Sequence, residues 1–266
     1  MDLRVELTGF LTSRRGRLQP EHVGVTRFGE RRRVPGLRRE ELAQVAGVSV
    51  THYTRLEQGH AGSVSAEVLD AVAGALRLTG DEREHLGNLV HPPRPGPDKP
   101  AARTDLRCLI EGMDHTPAFV HGRHGNILAW NDSAARLLGD LPADRRSWPH
   151  LVFLDGPFRS MVHDADWVRL ARQHTAYLRL CLGRYPGSPE VAAVVASLRA
   201  ASADFERFWA EHLVADWPSV SCRLRHPGLG EIEVAVDVVR SSGAPDQWLV
   251  TFTTEPGSPS HQALRR

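Results

Sequence analysis

The chain has 266 residues, 41% of them hydrophobic and 24% charged, with a formal net charge of +1. That length holds one large or two ordinary domains, and the composition fills a globular core, which excludes a disordered acidic or basic tail. No apolar run reaches the roughly 18–20 residues that span a bilayer, and MDLRVELTGF lacks the charged start and unbroken apolar block of a signal peptide, so a soluble, cytoplasmic protein with no membrane partner is expected.

The three cysteines, Cys108, Cys181 and Cys222, lie far apart with no CxxC pair. They argue against a disulfide framework and a cysteine-based zinc module, and read as buried thiols. Of the 33 basic residues only Lys99 is a lysine, an arginine habit typical of a GC-rich coding sequence. Distribution says more than the total. Between Ser13 and Arg39 stand nine arginines (14, 15, 17, 27, 31, 32, 33, 38, 39) against Glu21 and Glu30, a local excess suggesting a polyanion site confined to one domain.

The first 90 residues are helical by period. Leu3, Leu7, Phe10 and Leu11 mark an apolar face that ends near Gly16. After a polar connection carrying the arginine cluster come short helices around 38–46 and 49–58, one starting at Ser65 and one at Thr79. Ser65 and Thr79 are natural N-caps, and Glu82, three residues past Thr79, completes a capping box. Five short helices without a strand signal make a compact α domain.

HPPRPGPDKP, residues 91–100, carries five prolines and a glycine in ten residues and reads as a semi-rigid linker. Beyond it both periods occur. Residues 118–120 and 126–130 flank a turn-forming stretch and predict a hairpin. Helical patterns fill roughly 133–138, 164–182, 189–200 and 203–212. Ile232, Val234, Val236 and Val238 then alternate with polar or small residues, as do Trp248, Val250 and Phe252, with a turn at His226–Gly230 joining two strands. A hairpin, helices and antiparallel strands give an α+β domain. The expected division is 1–90, a linker over 91–104, a second domain over 105–256 and a tail over 257–266.

The strongest signal is RREELAQVAGVSVTHYTRLEQ, residues 38–58. A helix-turn-helix needs a small residue where its helices touch, a glycine in the tight turn and apolar residues facing inward on the second helix. Ala43 supplies the contact and Gly47 the turn, where positive φ is needed. Leu42, Ala46, Val48, Tyr53 and Leu56 take inward positions, and Ser49 the N-cap. The alternative is an αα-hairpin with no role on DNA. The outward face separates the two: Val50, Thr51, His52 and Arg55 point away from the inward positions. Thr51 and His52 can bond base edges or phosphate, Val50 can touch a thymine methyl, and Arg55 can bind guanine bidentately. Thr51 and Arg55 are the best reading candidates. Arg39, with some of Arg31, Arg32, Arg33 and Arg38, is placed for phosphates, and Glu57 is expected to face the domain and pair locally.

With these pieces the chain resembles the xenobiotic-response-element type of helix-turn-helix regulators, and within them the MmyB-like group. RRRVPGLRREELAQVAGVSVTHYTRLEQG, LDAVAGALRLTGDEREHL, TPAFVHGRHGNILAWNDSAARLLG, LVFLD, RHPGLGEIEV and TEPGSPS carry the resemblance across nearly the whole chain. It implies two domains, an all-α lambda-repressor-like helix-turn-helix domain followed by an α+β PAS-like domain, in a bacterial one-component transcription regulator whose second domain takes a fatty-acid-like ligand. Thr51 and His52 stand where the group has an acidic and an aromatic residue, and GPFRSMVHDAD replaces a basic, tyrosine-bearing stretch.

A PAS-like sheet with helices on one face can leave an apolar cavity between them. Phe119, Trp130, Phe153, Trp167, Phe205, Phe208 and Trp209 are candidate wall residues, each with ordinary core as the plainer reading. A ligand carboxylate would want an arginine or histidine: Arg225 is taken as the candidate, with Arg223, His226 and His212 beside it. The fourteen histidines are scattered, without HExxH or HxH, and are expected on the surface rather than on a metal. Asp164 and Asp166 read as charge partners at a helix start, and Asn131 as the cap of the next helix. Without a P-loop, GxGxxG or GxSxG, no catalytic residue, metal or cofactor is assigned. The expectation is a homodimer that binds a double-stranded DNA operator under control of a small apolar ligand. The alternatives are an enzyme, or a haem or flavin PAS sensor, fused to a DNA-binding module.

Overall fold

The computed structural model describes all residues except 1, 25–35, 61, 63, 95, 97, 99, 100, 140, 143–145, 218, 242 and 266. The chain forms two compact units, Met1–Pro95 with Leu182–Gly187, and Gly96–Cys181 with Ser188–Arg266. Among the described residues no helix is long and apolar enough to cross a membrane.

In the first unit α1 (Leu3–Arg17) buries Leu7, Phe10 and Leu11, the face its spacing defines. After a 3-10 turn, Pro20–Val23, come α2 (Arg39–Ala46), α3 (Val50–Glu57), α4 (Ala66–Ala75) and α5 (Gly80–Val90). The capping residues act where the sequence places them. Ser65 Oγ accepts the Val68 N–H, and Thr79 exchanges bonds with Glu82 at both ends of a capping box. Leu42, Val72 and Leu86 are buried in the resulting helical core.

The second unit starts with α6 (Thr104–Glu111), then β1 (Ala118–His121), β2 (Ile127–Trp130), α7 (Asp132–Leu138), α8 (Trp148–Leu154) and α9 (Gly156–Met161). The long α10 (Asp164–Arg184) follows, then α11 (Pro189–Ala201) and α12 (Ala203–Trp209). β3 (Val220–His226), β4 (Gly230–Ser241), β5 (Ala244–Thr253) and α13 (Pro259–Leu264) complete it. The five strands form one antiparallel sheet in the order β2-β1-β5-β4-β3. The fold is therefore a helical domain followed by an α+β domain.

Register fixes which side chains share a sheet face. Phe119 pairs with Val250, His121 with Trp248, and Val236 with both Phe252 and Val220, so one face carries the large rings. The alternation seen in β4 is the same pattern, with Ile232, Val234 and Val236 buried. On the opposite face Ala118, Val120 and Leu249 pack under Leu106 and Ile110 of α6. Residues read as a tail instead include α13, whose Leu264 is buried and whose Ser260 Oγ accepts the Glu233 N–H. Cys181 and Cys222 are buried, but Cys108 is exposed, because Leu106 and Ile110 take the inward side of its short helix.

Asn131 is more than a helix cap. Its Oδ1 accepts from Ala134 N at 2.9 Å and Ala118 N at 3.0 Å, while Nδ2 donates to the carbonyls of Ile110, Met113 and Thr116. One amide thus joins α6, β1 and α7. Asp166, at the start of α10, accepts from Arg223 N, Arg223 Nε and Arg169 Nη2. Burial pushes its carboxyl up, but the Arg223 and Arg169 bonds outweigh this and hold it below the usual range.

Candidate functional site

Gly47 ends α2 at φ 65°, and its N–H and that of Val48 close back on the carbonyls of Gln44 and Ala43. This left-handed cap turns the chain sharply into α3, where Ser49 Oγ accepts the His52 N–H at 3.1 Å. Leu42, Ala43, Tyr53 and Leu56 are fully buried; Ala46 and Val48, expected inward, are half-buried at the rim of the turn.

Val50, Thr51, His52 and Arg55 are all exposed. At about 100° per residue, Thr51 and Arg55 fall opposite Tyr53, Leu56 and Glu57, whereas Val50 and His52 flank that outward line. Arg4 and His60, which no sequence motif singles out, share a cleft with Arg55. Arg38 is exposed at the N-cap of α2. Arg32 and Arg33 lie outside the described residues, as do Arg27 and Arg31.

The arginine cluster divides into different jobs. Arg14 is 4% exposed, stacks over Phe10 at 4.8 Å and meets Glu82 at 2.9 Å. Arg15 donates through Nε to Glu57 Oε1 at 2.7 Å and through Nη1 to the Leu37 carbonyl at 2.7 Å. Both are internal struts, so part of the local basic excess is consumed by the fold. Arg39 also reaches Glu57, through Nε, and stays 46% exposed.

Glu57 is therefore the anchor of α3. Its side chain is fully buried and also accepts the Tyr53 hydroxyl at 3.1 Å. Burial pushes its carboxyl up, but the hydrogen bonds and charges of Arg15 and Arg39 win and hold it below the usual range. Burial and the same carboxylate drive Tyr53 in the other direction, upward.

The candidate wall residues of the second unit fall into separate groups. Phe153, Trp167, Phe205, Phe208 and Trp209 pack together: Phe153 to Phe205 at 5.0 Å, Phe205 to Trp209 at 5.4 Å and Trp167 to Phe208 at 6.2 Å. Trp130 is only half-buried and lies beneath Arg146. Phe119 belongs to a third group between the sheet and the helices, with Trp148 at 5.2 Å and Phe252 at 6.1 Å.

Arg225 stands on the outward face of β3. It alternates outward on β3, 58% exposed, near His163 and Glu231, because Leu224 and Cys222 take the inward positions. Arg223 is tied to Asp166, and His226 accepts the N–H groups of Gly228 and Leu229 in the hairpin turn.

The expectation that histidines lie on the surface fails at His85, His121 and His174, which are buried. His121 and His174 join Phe119's group, with Tyr177, Trp217 and Trp248. Sequence spacing gave no hint of this, because the residues come from β1, α10, β5 and the loop before β3. Among the described residues no group of three or more histidines, cysteines, aspartates or glutamates could hold a metal ion.

Comparison with known families bears on both units. A family model described as a helix-turn-helix domain matches residues 6–86, and one described as an MmyB-like transcription regulator ligand binding domain matches residues 102–266. None of the curated proteins matches the chain.

Proposed function

The chain belongs to the MmyB-like transcription regulator ligand binding domain family and carries a helix-turn-helix domain ahead of that domain; from this premise we propose a cytoplasmic one-component regulator whose sequence-specific DNA binding is controlled by a small, fatty-acid-like ligand. The observation that carries the DNA reading is the exposed face of α3, with Thr51 and Arg55 opposite its buried residues. In this reading Thr51 and Arg55 contact base edges, with Val50 and His52 beside them. Ser49, Arg38 and Arg39 meet phosphates, joined by Arg32 and Arg33. A homodimer sets two copies of α3 in successive major grooves, about 34 Å apart.

Ligand control requires that the two DNA-binding states take the ligand unequally. An apolar acid suits such a domain on energetic grounds. A chain of about a dozen methylenes leaving water gains roughly 10 kcal/mol before ordering costs. No enzymatic step is assigned to the protein. An electrophoretic shift assay with the intergenic DNA beside its own gene tests the reading. A specific, salt-sensitive complex is expected; its absence, with and without added acid, overturns the regulator reading.

A further inference from the structure

The core between the ring-bearing sheet face and the helices holds an unusual amount of unused hydrogen-bonding capacity. His174 of α10 is 1% exposed, and neither ring nitrogen has a hydrogen-bond partner among the described residues. The indole nitrogens of Trp148, Trp217 and Trp248 are likewise buried without a partner, as is His121 Nε2. Buried donors left unmade destabilise a fold by about 1–3 kcal/mol each, and a core built only for packing would place phenylalanine or leucine at such positions.

These groups are gathered rather than scattered. The Trp217 ring lies 4.6 Å from His174, 5.7 Å from His121 and 6.2 Å from Trp148, and His121 stacks on Trp248 at 5.3 Å. They come from β1, α8, α10, the segment before β3, and β5, so only the folded domain assembles them.

Their chemistry selects what they can hold. Indole N–H groups only donate. His121 Nδ1 lies 2.8 Å from the Gly122 carbonyl, which can only accept, so Nδ1 carries the proton and Nε2 is an acceptor. Neutral His174 offers one donor and one acceptor. Donors thus outnumber acceptors two to one, which suits an oxygen-bearing head group and not an ammonium.

We propose that Trp217, Trp248, Trp148 and His174 form the seat for the carboxylate of an apolar acid, whose hydrocarbon part lies among the neighbouring rings. This rests on the reading of the second domain as a small-molecule site and adds which residues meet the polar end. The same set of donors disfavours a cationic head on the same hydrocarbon chain.

All six tryptophans lie between Trp130 and Trp248 in the second unit, so tryptophan fluorescence, excited at about 295 nm, reports on that unit alone. The full chain is titrated with dodecanoate and with dodecyltrimethylammonium below their micelle concentrations, as wild type and as Trp217→Phe, Trp248→Phe and His174→Phe. Each variant keeps a ring and removes the polar edge, and circular dichroism identifies any variant that fails to fold. Dodecanoate binding to wild type, weakened about tenfold or more in the folded variants, is the expected result. Equal affinity of wild type and folded variants for dodecanoate overturns the proposal, as does preference for the ammonium, a coloured cofactor in the purified protein, or no dodecanoate binding by wild type. Operator binding by the same preparations, measured without acid, reports separately on the regulatory reading, so the two can fail independently.

Discussion

Arg15 of α1 holds Glu57 at the end of α3 with an Nε to Oε1 distance of 2.7 Å, across 42 positions of sequence. Arg39 bonds the other carboxylate oxygen. α3 is thus fixed to both preceding helices, α1 and α2, through one buried carboxylate, and the outward angle of Thr51 and Arg55 depends on it.

Glu57→Ala leaves Arg15 buried opposite no charge. Breaking a buried pair from one side costs about 3–5 kcal/mol, enough to unfold a marginal helical domain. Far-UV circular dichroism against urea is expected to show early loss of helix, with loss of operator binding. Arg39→Ala, on the exposed side of the same network, is expected to cost about 1 kcal/mol or less. An unchanged urea midpoint in Glu57→Ala contradicts the anchor role.

Gly36 approaches the end of α1 so closely that a β-carbon there would lie 2.5 Å from the Arg15 carbonyl oxygen, and its φ is +80°. Gly36→Ala is expected to destabilise the first unit by about 1–3 kcal/mol through backbone strain and the steric clash. A melting temperature equal to wild type removes this constraint.

Asn131→Ala removes the cap of α7 and the bonds that tie α6 to β1. A loss of about 2–3 kcal/mol is expected in tryptophan-monitored unfolding, since cap and buried amide partners are lost together. Asn131→Asp keeps the cap acceptor but turns a second acceptor oxygen towards the carbonyls of Ile110, Met113 and Thr116, and is expected to destabilise at least as much.

Acid sensitivity of the second unit follows from its two buried imidazoles. Burial lowers His121 to about 4, with the Gly122 carbonyl opposing and His124 adding slightly; burial, then His121, lowers His174 to about 3. Below the ordinary imidazole value of 6.5 the unfolded chain binds protons that the folded core refuses, so stability is full above pH 6.5 and falls toward pH 4. Two such groups give a slope of about 3 kcal/mol per pH unit in the steep region. Tryptophan-monitored urea midpoints at pH 7.5, 6 and 5 measure it; His174→Phe is expected to halve the slope, and a flat profile contradicts it.

Much of the first unit is legible in the sequence because its signals are local. Ala43, Gly47, Ser49 and the spacing of Tyr53 and Leu56 specify the turn within some twenty residues, and Ser65 and Thr79 mark helix starts by their own side chains. The β4 alternation is equally local. What escaped is non-local or masked by prolines. α8 and α9, absent from the expected helices, begin at Trp148-Pro149 and Gly156-Pro157, although proline at the first helical positions suits a helix start. The ring cluster around His174 draws on five chain segments, and no periodicity shows which rings will share a face. Arg225 looked suitable by charge, and the parity of β3 turned it outward.

The proposed ligand-controlled, sequence-specific DNA binding is tested most directly by fluorescence anisotropy of the full chain on a labelled intergenic duplex and on a scrambled duplex of equal length, at fixed salt, with and without saturating dodecanoate. Tighter binding to the intergenic duplex is expected, lost selectively in Thr51→Ala and Arg55→Ala, with an affinity shifted about 5- to 150-fold by the acid. Equal affinity for both duplexes, or an intergenic affinity unmoved by acid that fluorescence shows to be bound, contradicts it.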